Sequence, residues 1–315
     1  MTTAVDITTE QKFLQDLIAA GHLLPSGEPG LYGRGAIFED VRTRVDALVT
    51  RAGAEDRAET LRFPPVMPKR TLETSGYLKS TPQLCGAIFS FEGGDADARE
   101  LAAAANANQD WGRYLTLTGV VLVPAACYPA YPAIARRGPL PEGGVSLDLG
   151  GCYVFRHEPS LDPARLQMFH QRELVRIGET QDVLAWRETW ISRATTIFEQ
   201  IGLAATLDVA SDPFFGRAGK LLASSQREQR LKFEMLVPIA SPGPTAVTSF
   251  NFHQDHFGSG FGIRLHDGAA ASSACVGFGL ERITLALFRA HGMDPGAWPK
   301  QVRNRLWTET DGMGR

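Results

Sequence analysis

The stretch CYVFRHEPSLDPARLQMFHQRELVRI, residues 152–177, decides the fold. Its two ends, residues 152–158 and 167–177, are rich in aromatic and β-branched side chains, and the loop between them carries Pro159, Asp162 and Pro163. This pattern predicts two antiparallel strands joined by a turn. Strand side chains alternate between faces, so Phe169, Gln171, Glu173 and Val175 point one way. Arg156 and Glu158 share a face of the facing strand.

Outward from the hairpin, residues 180–201 place Val183, Leu184, Trp190, Ile191, Ala194, Ile197, Phe198 and Ile201 on one helical face and stop at Gly202. Residues 37–52 repeat Ile37, Phe38, Val41, Val45, Leu48 and Val49 at the same period and end at Gly53. A short helix capped by Thr8 or Thr9 carries Phe13, Leu14, Leu17 and Ile18 and ends at Gly21. Residues 60–67 read as a strand broken by Pro64 and Pro65; residues 203–210, 233–239 and 245–253 read as further strands. The run 116–123 is predicted to be a buried strand, residues 92–110 a surface excursion, and 138–144 a turn. Residues 274–291 are predicted to be one buried helix, closed by Gly292 and Pro295. Several hairpins, with no regular βαβ alternation and no internal repeat, give an α+β class: an antiparallel β-sheet flanked by helices. A single domain is expected over 1–306, with a basic helical insertion at about 216–232 and a disordered polar tail at 307–315.

Composition removes several functions. The net charge of −3 gives no overall basic footprint for a nucleic acid. The longest apolar stretch, 119–131, is interrupted by Pro124 and Pro129 and is too short to span a bilayer. The N-terminus carries Asp6 and Glu10 with no apolar signal core, which points to the cytoplasm. Of the four cysteines, none forms a C-x-x-C pair. Cys85 and Cys152 read as buried small side chains.

Two arginines carry the chemistry. Arg156 can meet the α-phosphate of ATP and stabilise charge on the pentavalent centre, or pair with Glu158 on the sheet surface. In Gly277-x-Gly279-x-x-Arg282 the sixth position is arginine, so this is no dinucleotide fingerprint. The glycines allow close backbone approach, and Arg282 either reaches a phosphate or serves as a buried structural cation.

Taken together, Phe155-Arg156-x-Glu158 with Phe169 resembles motif 2 of class II aminoacyl-tRNA synthetases, and Gly277-x-Gly279-x-Glu281-Arg282 resembles motif 3. The helix 37–52 followed by Leu61-Arg62-Phe63-Pro64 is similar to motif 1, which implies a homodimer. The implied fold is the class II catalytic core, and the nearest likeness is to seryl enzymes. About 30 residues precede Gly33-Arg34-Gly35, with one short helix where those enzymes carry a coiled coil for tRNA. The chain therefore resembles the truncated homologues known as amino acid:[carrier protein] ligases. Residues 122–129, 251–258 and 274–282 fit that family.

The resemblance implies ATP with Mg2+, and activation of glycine, alanine or serine as an adenylate. It further implies transfer to the phosphopantetheine thiol of an acidic carrier protein, with no tRNA and no membrane as partners. Arg156 and Arg282 become catalytic. ATP would also contact Glu158, Arg165, Leu166, Phe169 and the strand Ala246, Val247, Thr248 and Ser249. Cys127, Glu173 and Cys275 match the family's zinc ligands, one ion per chain, with Glu173 also facing substrate; positions so far apart would never reveal this by spacing. His253, Asp255 and His256 read as structural or substrate-shaping, against a second metal. The basic stretch with Arg217, Lys220, Arg227, Arg230 and Lys232 is expected to dock the carrier. Two other readings stand beside this one: a tRNA-charging enzyme helped by a partner, and a non-catalytic regulatory module.

Overall fold

The predicted hairpin forms the second and third strands of a seven-stranded sheet. The computed structural model describes residues 9–240 and 243–308, so Thr8 and residues 309–315 of the expected tail lie outside the described residues. In spatial order the strands are Glu59–Thr60, Val145–Phe155, Met168–Gly178, Ser272–Gly279, Thr245–Gln254, Lys232–Val237 and Thr206–Val209. Every neighbouring pair is antiparallel except the first. Alternation sorts the hairpin's side chains: Leu174 joins the core on one face and Val175 the core on the other.

Helices cover one face. Thr180–Gln200 buries Val183, Trp190, Ala194, Ile197 and Phe198 there, and Ala36–Ala52 buries Phe38, Val41, Val45, Leu48 and Val49. Each such side chain contributes about 1.5–3 kcal/mol by leaving water. Leu280–His291 packs its apolar side into the same core through Ile283, Leu287 and Phe288. The opposite face carries a second core around Val123, Tyr131, Val154 and Phe257, and it is this face that bears the site.

Several expectations change. The hairpin's first strand runs Val145–Phe155 and ends before Arg156 and Glu158, which lie in the following loop. It starts earlier because a register shift at Leu149/Cys152, with Gly151 at φ 71°, lets it pass the Gly150-Gly151 pair. The predicted helix over 274–291 is instead the strand Ser272–Gly279 followed by the helix Leu280–His291. That strand lies between two others and is buried on both faces, so it lacks the alternation that marks half-exposed strands.

The run 116–123 forms the strand Leu115–Leu122, mostly exposed or half-exposed, in a separate three-stranded sheet with Val66–Pro68 and Ala87–Phe91. The predicted excursion 92–110 contains the helix Asp95–Asn106, of which only Ala104 is buried. Ile37 leaves the apolar stripe of its helix and is 49% exposed. The predicted strand over 60–67 divides into Glu59–Thr60 and Val66–Pro68 across Pro64 and Pro65.

Candidate active site

Three adjacent strands set the floor of the site. Glu173 stands opposite Gly277, and Gly277 stands opposite Ser249; Val175, Cys275 and Asn251 form the next row. Directly opposed residues share a face, so Glu173, Cys275, Asn251 and Ser249 all point to the same side. Gly277 leaves room for Gln171: a Cβ there would lie 2.6 Å from Gln171 Nε2. Gln171 Oε1 accepts from the Ala126 N–H at 3.3 Å. The same turn brings Cys127 over the floor, and its N–H donates to Glu173 Oε2 at 2.7 Å.

Ligand atoms of Cys127, Glu173 and Cys275 lie within 4.8 Å of one another, and all three residues are buried. Burial pushes the Cys127 thiol well up, helped by Cys275 and Glu173. Cys275 is pulled down by its hydrogen bond with Cys127, but burial and Glu173 outweigh this and push it up to about 11. Burial likewise raises Glu173. Three acidic groups crowded away from water favour their protonated forms unless a cation compensates them. Two sulfurs and one carboxylate oxygen at this span suit a tetrahedral zinc ion with bonds of about 2.0–2.3 Å and one position left open. The set fits the metal.

Asn251 Nδ2 donates to Cys275 Sγ at 3.3 Å, and His253 Nε2 lies 3.5 Å from the same sulfur. His253 Nδ1 is 3.0 Å from Ser273 Oγ. Burial, with His256 adding to it, pushes His253 down to about 3. His256 is held 3.0 Å from the Ser75 carbonyl, and Asp255 accepts from Ser259 Oγ at 2.8 Å. Asp255 and His256 thus serve the backbone turn, whereas His253 touches a candidate metal ligand.

A cavity of about 470 Å³ opens over this floor, with Cys127, Glu173, Cys275, Asn251, His253 and Arg156 in its wall. Arg156 donates from Nε to the Pro124 carbonyl at 3.3 Å and lies over the Phe169 ring, 5.7 Å from its centroid. Arg282 lies in the first turn of the helix Leu280–His291; its Nε donates to Ala164 O at 2.8 Å and its Nη1 to Ala246 O at 3.0 Å. Burial, with Arg156 next, pushes this guanidinium down to about 10, still protonated at neutral pH. The repulsion from Arg156 means that the two guanidinium groups lie near one another, although Arg282 is not among the residues that line the cavity.

The other expected ATP contacts divide. Glu158 and Arg165 form an ion pair at 3.8 Å, and both act on Arg282 electrostatically. No Arg156–Glu158 ion pair exists among the described residues. Leu166 is buried, 5% exposed, so its side chain belongs to the site-side core. Ser249 lines the cavity and Ala246 gives its carbonyl to Arg282, while Val247 points into the helix-side core. Thr248 is buried, and its hydroxyl finds no hydrogen-bond partner among the described residues.

The basic stretch forms the helix Gly216–Glu228. Arg217 and Lys220 are exposed on it, with Leu221 74% and Leu222 47% exposed beside them. Arg227 is held against the sheet edge by Ser211 Oγ and Val209 O, each at 3.2 Å. Lys232 does not belong to this surface. It is buried at the start of a strand and paired with Asp212 at 2.6 Å and Glu234 at 2.9 Å. Burial opposes the charge on Lys232, and the two carboxylates more than restore it. For Asp212, burial works upward, but Lys232 prevails and sets it at about 2.

Sequence reasoning missed Asp212, Lys232 and Asn251 in the cavity wall. A lysine alternating with Phe233 and Met235 was the available signal: its neighbours point into a core, so it points into the site.

No protein-family profile matches the chain. Two amino acid–[acyl-carrier-protein] ligases of Bradyrhizobium diazoefficiens are 46% and 47% identical to it over 281 residues. These matches take in 89% of this chain and 86% and 84% of those proteins. Among solved structures, Methanopyrus kandleri SerRS, crystallised with Aquifex aeolicus tRNASec, superposes with a TM-score of 0.80 at 22% identity. That superposition covers 97% of this chain and 62% of the synthetase chain. The fold is that of the class II aminoacyl-tRNA synthetases.

Proposed function

The chain belongs to the amino acid–[acyl-carrier-protein] ligase family, and we propose how its residues carry out the reaction. As a ligase it activates an amino acid and transfers it to a carrier protein. In the first step a carboxylate oxygen of the amino acid bonds to the α-phosphorus of ATP while the bond to pyrophosphate breaks. In the second, a thiol that has given up its proton bonds to the carbonyl carbon and AMP leaves.

Arg156 meets the α-phosphate, where negative charge builds during attack. Arg282, close enough to be acted on by the Arg156 charge, binds the nucleotide from another side. Phe169 stacks on adenine, with the Leu166 backbone beside it. Glu158 orients substrate or adenine, and Arg165 meets the γ-phosphate side. The strand from Ala246 to Ser249 completes the wall, Val247 and Thr248 through their backbone and Ser249 through its side chain. Mg2+ bound with ATP would neutralise triphosphate charge. A zinc ion on Cys127, Glu173 and Cys275 would offer its open position to the substrate α-amino group and so exclude acids that lack one. The confined floor suits glycine, alanine or serine.

The acceptor is the phosphopantetheine thiol of an acidic carrier, met by Arg217 and Lys220 and the exposed Leu221 and Leu222. Arg227 and Arg230 extend the positive surface. We further propose one catalytic domain carrying the basic helix as an insertion, dimerising through the helix Ala36–Ala52. No helix among the described residues is long and apolar enough to cross a membrane; four free thiols suit the cytoplasm.

One observation carries this reading: Arg156 stands in the wall of the same cavity as Cys127, Glu173 and Cys275. The test is pyrophosphate exchange with each of the twenty amino acids, with and without a zinc chelator, followed by thioester formation on a carrier with and without its phosphopantetheine. Chelator-sensitive exchange with one small amino acid and loading of the modified carrier alone are expected. Charging of total tRNA with no carrier loading would favour a synthetase. Undiminished cellular function of an Arg282→Ala variant would favour a regulatory module.

A further inference from the structure

The turn from Pro124 to Tyr128 touches both ends of the proposed reaction. Its Pro124 carbonyl holds Arg156 Nε at 3.3 Å, and its Cys127 is one of the three candidate metal ligands. Between these anchors the Ala126 N–H donates to Gln171, and the Tyr128 N–H closes the turn on Ala125 O at 3.3 Å. Tyr128 therefore leaves the turn beside the metal floor and stands in the wall of the same cavity. Its ring is held edge-on by Tyr77, with centroids 5.9 Å apart, and by Phe257 at 5.7 Å. Burial pushes its hydroxyl well up; Cys127, Asp212 and Tyr77 add to this and Arg156 opposes it. The hydroxyl thus lies within reach of the charges of Cys127, Asp212 and Arg156, all in the cavity wall. It makes no hydrogen bond among the described residues. The Tyr77 hydroxyl is unpartnered too, but it is buried.

An amino acid bound as described above has its α-amino group on the metal and its carboxyl group at the phosphate that Arg156 meets. The carboxyl carbon then lies between those two ends, on the stretch that Tyr128 borders. Chemistry decides which step a neutral donor helps there. One carboxyl oxygen bonds to phosphorus. The other shares the negative charge in the free amino acid, gives it up as the carbonyl oxygen of the adenylate, and takes a full charge when a thiolate adds. A donor aimed at it binds the ground state of the first step and the transition state of the second.

On the ligase chemistry above, we propose that Tyr128 is a catalytic residue of the transfer step, donating a hydrogen bond to the carbonyl oxygen of the aminoacyl-adenylate. The thiolate sulfur bonds to the carbonyl carbon, and the π pair moves onto the oxygen, where the Tyr128 hydroxyl meets it. The π bond then re-forms, the bond from that carbon to the phosphate oxygen breaks, and AMP leaves with the pair. The thiol's proton has gone to water, and Tyr128 keeps its own throughout.

Tyr128→Phe keeps the ring and its edge contacts and removes only the donor. Amino acid-dependent pyrophosphate exchange should stay within about threefold of the unaltered protein, since no first-step transition-state contact is lost. Single-turnover transfer from preformed adenylate should fall about 100-fold, as when one oxyanion donor is removed elsewhere. The same fall is expected with free pantetheine as acceptor, because the lost contact is to the acyl group. Tyr77→Phe, which removes the neighbouring buried hydroxyl, should leave transfer within about threefold. Exchange that falls in parallel with transfer would make Tyr128 a structural residue and overturn the proposal. Undiminished transfer would overturn it too, as would a defect seen only with the carrier or an equal defect in Tyr77→Phe. Absence of exchange in the unaltered protein is a separate result, and it would count against the ligase chemistry instead.

Discussion

Cys127, Glu173 and Cys275 are three proton-holding groups packed within 4.8 Å of one another. Because burial raises all three, and Glu173 adds to it for both thiols, a metal entering here must displace protons from the cysteines. Adding zinc to the metal-free protein in weak buffer at pH 7 should acidify the solution. The apparent affinity should rise about tenfold per pH unit for each thiol proton displaced. Affinity that stays flat from pH 6 to 8, or survives Cys275→Ser unchanged, would remove the metal from this site. His253 gives a second pH effect. Folded, its imidazole takes a proton only near pH 3; unfolded, it does so near pH 6.5. Between those values the unfolded chain binds the extra proton, so stability falls as pH drops through that window. His253→Gln should flatten this acid limb in urea titrations at pH 4 and 6, and an equally steep limb would refute the assignment. At this scale the sequence was only partly legible. The three metal candidates came from resemblance, since residues on a turn and two strands meet only when the sheet assembles. Tyr128 went unassigned because it leaves a turn, where no period tells which way a side chain points.

The long helix and the strand Thr245–Gln254 were legible as elements because they are partly exposed and carry their period openly, whereas the hairpin, whose second strand is mostly buried, was legible from its aromatic and β-branched residues and the Pro- and Asp-containing loop between them. The strand Ser272–Gly279 was not: flanked on both sides and buried throughout, its run of small and apolar residues carries no period of two. The helix Gly216–Glu228 was legible as basic, but its charges do unequal work. Lys232 serves the cavity, and Arg227 holds the helix to Ser211 and Val209. That leaves Arg217 and Lys220 as the exposed charges at its head. Reversing both to glutamate should raise the KM for an acidic carrier about tenfold, with a smaller change in kcat, because exposed charges mainly steer encounter. The effect should shrink as salt approaches 0.5 M, where the Debye length is about 4–5 Å. Steady-state loading at several carrier and salt concentrations measures this, and a KM insensitive to both would end the docking role. Mutating Arg227 in the same series would confuse docking with the attachment of the helix itself.

Across the whole molecule, segments far apart in the chain are tied by two arginines, Arg34, partly buried, and Arg172, buried. Arg34 joins Glu281, Tyr153 and Glu39, while Glu281 also accepts from the His170 N–H at 2.8 Å. Arg172, with a side chain only 4% exposed, binds Asp46 Oδ1 and Thr50 Oγ1, each at 2.7 Å, and pairs with Asp148. The helix Ala36–Ala52, the hairpin and the helix Leu280–His291 are thus locked in one frame, and the site face inherits its geometry from that lock. Apart from Glu39, none of these partners is near its arginine in sequence, and no local pattern announces them; the helices and strands could be read, but the charges that join them could not. Removing Arg172 leaves Asp148, 13% exposed, as a nearly buried uncompensated charge. Arg172→Ala should therefore cost about 3–5 kcal/mol, towards the lower end because Asp46 is 26% exposed and can be rehydrated. Arg172→Lys keeps the charge without the fork that reaches both carboxylates and should fall between. Urea unfolding followed by tryptophan fluorescence and by circular dichroism reads both variants. A loss under about 1 kcal/mol for Arg172→Ala would mean that the apolar cores alone hold the helix to the sheet.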